Sequence, residues 1–127
     1  MKLLRYGPLG EERPGMMDAE GAIRNLSGVI DDVSGTALDD ASLAKLRAID
    51  PATLPVVGGN PRLGPCVGSV GKFVCIGLNY ADHAAEAGMP IPKEPIVFMK
   101  VPSCIQGPND PVMLPKNSVK TDWEVEL

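Results

Sequence analysis

The chain has 127 residues, of which 44% are hydrophobic and 22% charged, the proportions of an ordinary globular protein rather than a disordered or fibrous one. With 16 acidic against 12 basic residues the formal charge is −4, which argues against a nucleic-acid-binding surface. Its 14 glycines and 13 prolines predict an ordered chain rich in turns. The opening Met-Lys-Leu-Leu-Arg is too short an apolar run for a secretory signal, and no stretch has the ~18 apolar residues of a membrane span. Three cysteines, Cys66, Cys75 and Cys104, without CxxC spacing predict free thiols in a reducing, cytoplasmic setting.

In chain order, Leu3–Tyr6 is the first strand candidate. Residues 15–17 and 22–26 flank the turn Asp18-Ala19-Glu20-Gly21 and predict a hairpin. A helix is expected over Asp40–Ile49. Asp39 can cap it, Leu43, Leu46 and Ile49 share one side, and Pro51 ends it. Residues 51–65 hold seven prolines and glycines and read as an extended linker. Residues 1–65 thus form an N-terminal module and linker without recognisable chemistry.

Residues 66–127 have a different texture. Lys72–Ile76 predicts a strand, and Tyr80–Ala87 a helix with Asn79 as its N-cap and Gly88 just past its end. Further strands are expected at Ile96–Lys100, Val112–Leu114 and Thr121–Leu127, the first two joined by a turn over Gln106–Asp110. The last strand stops in mid-pattern, so the chain is expected to be part of a longer protein.

Two groups of residues could carry chemistry. In Asp122-Trp123-Glu124-Val125-Glu126-Leu127, strand alternation puts Glu124 and Glu126 on one face with Cα atoms about 6.6–7 Å apart. Two carboxylates so close call for a compensating cation, and hard oxygen donors suit magnesium or manganese better than zinc. The same pattern also suits a solvated edge strand whose charges deter aggregation. The second group is His83, the single histidine, with Glu86 three residues on and on the same helix face. Glu86 could fix the imidazole tautomer and leave the other nitrogen to take a proton from water. Surface His–Glu pairs of this spacing also exist without such a role.

Taken together and in order, "KFVCIGLNYADHAAEAGMPIPKEPIVFMK", "GPND" and "DWEVEL" resemble the start of the catalytic domain of the fumarylacetoacetate hydrolase family. The module before them, with "MKLLRYG" and "RPGMMD", resembles the N-terminal segment of bacterial members of the ureidoglycolate lyase and diketo-deoxy-sugar-acid hydrolase type. The fold implied is α+β and mainly β: a small N-terminal α/β module, then the start of a mixed-β catalytic domain. The resemblance further implies a Mg2+ or Mn2+ ion, a homodimer, and small 2-oxo or diketo acid substrates. By position, Glu124 and Glu126 match metal ligands, with a third carboxylate beyond Leu127. His83 and Glu86 match the pair that activates water, and Tyr80, Lys100 and Ser103 match substrate-facing groups. Leu78 stands where many acylpyruvases carry arginine, which favours a hydroxylated or less acidic substrate.

The function implied is metal-dependent carbon–carbon cleavage by a hydrolase or lyase. The alternatives are an isomerase or decarboxylase of the same family, or a non-catalytic binding module. No nucleic-acid or membrane partner is expected, and residues 1–127 alone are expected to be inactive and marginally folded.

Overall fold

The computed structural model describes residues 1–123 and contains two small sheets with short helices between and around them. The first sheet is antiparallel and has the order β1 (Lys2–Tyr6), β2 (Arg13–Met17), β3 (Ile23–Asn25). Leu3 pairs with Met16, and Met17 pairs with Ile23. The hairpin expected from the Asp18–Gly21 turn is therefore present. Asp18 closes it by accepting the Ala22 amide at 2.7 Å and pairing with the Arg24 guanidinium at 2.7 Å.

Helix α1 spans Asp40–Arg47, and the Asp39 carboxylate accepts the Ser42 amide at 2.7 Å, as the N-cap reading predicts. Its apolar side seals one face of the sheet. Met16, Leu26 and Leu46 are buried together, with Leu3, Ile30, Leu43, Ile49 and Leu54 packed around them. Leu4 and Tyr6 alternate to the opposite face of β1, where both are buried.

Residues 51–65 are no free linker. After a 3-10 turn at Pro51–Thr53, Val56 bridges to Arg24 and Leu63 bridges to Tyr6. The Asn25 amide donates to the Pro55 carbonyl at 2.9 Å, and the Gly64 amide donates to the Arg5 carbonyl at 2.9 Å. The segment thus bonds along both outer strands of the sheet. Its prolines lack N–H groups but keep acceptors, so breakers in the sequence do not prevent docking.

In the second sheet β4 (Phe73–Gly77) pairs antiparallel with β5 (Ile96–Lys100), with Cys75 opposite Phe98. Between them lies α2 (Ala81–Glu86). The helix begins one residue later than expected. Tyr80, at φ −119° and ψ 136°, is the N-cap, and Asn79 is not. Gly88 ends the element at φ +64°, the left-handed conformation a residue after a helix end adopts. One expected strand is absent, and a second is described only at its first three residues. Val112–Leu114 is exposed and unpaired in any strand, as is Thr121–Trp123; Glu124–Leu127 lie outside the described residues. Pro111 and Pro115 bracket the former and leave only three residues between chain breakers.

Candidate active site

The segment from β4 to the 3-10 turn Pro102–Cys104 carries every candidate side chain that the structure describes. The turn from β4 into α2 passes through Leu78, whose φ of +49° is left-handed for a non-glycine residue. Tyr80 follows, and its carbonyl accepts the Ala84 amide at 3.2 Å to open the helix. Ala84 is buried and anchors α2, leaving His83 half-buried and Glu86 exposed at the last helical position. In the first turn the Asp82 carboxylate accepts the His83 amide at 2.9 Å, a favourable place for negative charge. His83 and Glu86 share a helix face at i and i+3. No hydrogen bond joins their side chains among the described residues, so the pair is aligned but not closed.

Lys100 is the last residue of β5, opposite Phe73 and exposed. It stands four residues, about 13 Å along the strand, from Ile96 and the Gly77 end where the chain departs for α2. Ser103 is exposed on the 3-10 turn that follows. A cleft of about 280 Å3 opens where β4 ends, lined by Ile76, Leu78, Asn79, Ile91 and Lys93 among others. None of His83, Glu86, Tyr80, Lys100 or Ser103 lines it. Glu124 and Glu126, the candidate metal ligands, lie outside the described residues. Among the described residues no group of three His, Cys, Asp or Glu side chains could hold a metal ion. No described helix is long and apolar enough to cross a membrane.

One arrangement escaped the sequence reading. Arg62 donates two parallel hydrogen bonds to Asp110, Nε to Oδ1 at 2.7 Å and Nη2 to Oδ2 at 2.6 Å. Its Nη1 donates to Glu12 at 2.8 Å and to the Gly7 carbonyl at 3.2 Å. Arg5 lies beside the group, 2.7 Å from Asp32 and 3.7 Å from Glu12. The Arg62 guanidinium holds the Glu12 and Asp110 carboxyls below the usual carboxylate range. The two carboxylates in turn push the Arg62 group further up. No local signal marks such a cluster, because Glu12, Arg62 and Asp110 are separated by about fifty residues each. Only the turn-forming role of Asp110 is legible locally, and there it also accepts the Gly107 amide at 2.7 Å.

Comparison with known proteins adds two findings. The whole chain is 70% identical to a protein of Burkholderia lata named "Putative hydrolase", and 69% and 68% identical to proteins of the same name from Burkholderia ambifaria and Burkholderia multivorans. The chain spans 45% of the length of each of these relatives. Residues 72–127 match the family described as fumarylacetoacetate (FAA) hydrolase C-terminal. That is the stretch from the first residue before β4 onward, so the ordered motifs and the match to the fumarylacetoacetate hydrolase family coincide over residues 72–127.

Proposed function

We propose that the full-length protein is a divalent-metal-dependent hydrolase or lyase that cleaves a carbon–carbon bond in a small 2-oxo or diketo acid. The observation that carries this reading is the family match over residues 72–127, which contains His83, Glu86, Lys100, Ser103, Glu124 and Glu126 in one continuous stretch. The hydrolase names of relatives alike along the whole chain support the same class. The ion is assigned to Glu124 and Glu126, whose i, i+2 spacing and hard oxygens suit Mg2+ or Mn2+. When bound, such an ion supplies positive charge to the oxygens of a 2-oxo acid.

The remaining roles fall to side chains. His83 takes a proton from water through one ring nitrogen, and Glu86 holds the other, a contact that closes by rotation of an exposed side chain already on the same helix face. Lys100 offers a cation, and Ser103 and Tyr80 offer hydroxyls, to a substrate rich in carboxylate and carbonyl oxygens. A homodimer is part of the proposal.

The test is metal titration of the full-length protein together with turnover on a panel of oxaloacetate, acylpyruvates and diketo sugar acids. Metal-dependent turnover of one of them is expected. Glu124→Ala or Glu126→Ala should weaken metal binding at least tenfold, and His83→Ala should lower kcat by about 10^2–10^4 while leaving metal affinity in place. Unchanged metal affinity in both glutamate variants, with no turnover by any form, would establish a non-catalytic module instead.

A further inference from the structure

The segment 102–110 begins just after β5, yet it leans on the N-terminal module at both ends. At one end Pro102 and Ile105 face Arg5, Val67 and Gly68 across a shared cleft of about 170 Å3. At the other end Arg62 grips Asp110 through its two-bond fork, and Gly107 packs against the backbone of Leu63. Gly107 is buried, and a Cβ there would collide with the Leu63 carbonyl oxygen. The grip is well shielded, with the Glu12 and Asp110 side chains 7% and 17% exposed and that of Arg62 25% exposed. A paired guanidinium and carboxylate in such surroundings fix geometry as well as contributing attraction. Ser103 lies inside this segment.

We propose that the N-terminal module is the mount for residues 102–110, and that Arg62 is a positioning residue that sets Ser103 for the substrate through its grip on Asp110. The role of Ser103 rests on the proposed function; the mounting itself does not. Arg62 touches no substrate. It acts by holding the turn that follows Ser103; its loss frees that turn and also breaks its bonds to Glu12 and Gly7 in the module, whereas Asp110→Asn frees the turn and leaves those two bonds in place.

Two measurements on the full-length protein test this. In the first, amide hydrogen exchange is followed over residues 105–112 in Arg62→Ala, in Asp110→Asn and in Arg24→Ala. The asparagine keeps an oxygen for the Gly107 amide but loses the ion pair, and Arg24→Ala breaks a comparable pair confined to the module. Exchange over 105–112 is expected to rise roughly tenfold in the first two and to stay unchanged in the third. Equal exchange in all three overturns the mount.

The second measures binding of oxalate, a small mimic of a 2-oxo acid, in the presence of Mg2+ for Arg62→Ala, Ser103→Ala and the double variant. If Arg62 acts through Ser103, each single change weakens binding and the double change weakens it no further. Additive losses overturn the positioning role. If the unsubstituted protein binds no oxalate, the 2-oxo acid reading and the Ser103 role fall together, and the exchange data still decide the mount.

Discussion

Leu78 concentrates the backbone tension at the entrance to α2. A leucine at φ +49° tolerates the left-handed region at a cost of about 1–2 kcal/mol, whereas a β-branched residue crowds its own backbone there. Leu78→Val should therefore destabilise the β4–α2 junction by roughly 1–2 kcal/mol, and Leu78→Asn, which enters that region readily, should be near neutral. Thermal melts of the two variants check the order; equal loss in both would show that the side chain, not the backbone, sets the effect. The same residue explains why Asn79 is not the cap. The chain turns at Leu78 and only then enters the extended conformation at Tyr80 from which the helix starts, a shift of one residue that composition does not encode. His83 and Glu86 fared differently, because i and i+3 spacing is a local property and survives such a shift. Their alignment was legible in the sequence; the Arg62 fork, which joins residues 48 apart, was not.

Between elements, the ion pairs make stability depend on pH in a defined direction. The carboxyls of Glu12 and Asp110 lie below their ordinary values of 4.5 and 3.8, chiefly because each accepts hydrogen bonds from Arg62. Depressed carboxyl values stabilise the fold fully above the unfolded range. That contribution is lost as pH falls from about 4.5 through the lowered folded values. Melting temperature should thus be nearly flat from about pH 5 to 7 and decline below about pH 4, with a shallower decline in Asp110→Asn. An acid limb of unchanged slope in that variant would remove the pair from the account. Elements whose signals are local were read correctly: the hairpin through its turn, α1 through its Asp39 cap and apolar spacing, β4 and β5 through runs of strand formers. Val112–Leu114 failed because an apolar triplet between two prolines has neither length nor partner, and residues 51–65 failed in the other direction. Their carbonyls and the amides of Val57 and Gly64 found partners on strands far away in sequence, which no window of a few residues contains.

At the scale of the molecule the two halves bury their side chains very differently. The module around Met16, Leu26 and Leu46 has a closed core, whereas every residue of β5 is exposed and Val97 and Met99 are 62% and 67% exposed. A two-stranded ribbon is marginal in water on its own. In the 127-residue chain, amides of β1–β3 should exchange slowest and those of β4–β5 at least tenfold faster, and the chain should bind a hydrophobic dye such as ANS. Uniform protection across both sheets would contradict that division.

The passage from Pro55 to Gly64 has a consequence for how copies of the protein can meet. By occupying backbone partners along β1 and β3 it leaves the module little open ladder onto which a foreign strand could zip. Lateral growth by strand addition is thereby steered away from the module and toward the outer margins of β4 and β5, where any misassembly of the 127-residue chain should begin.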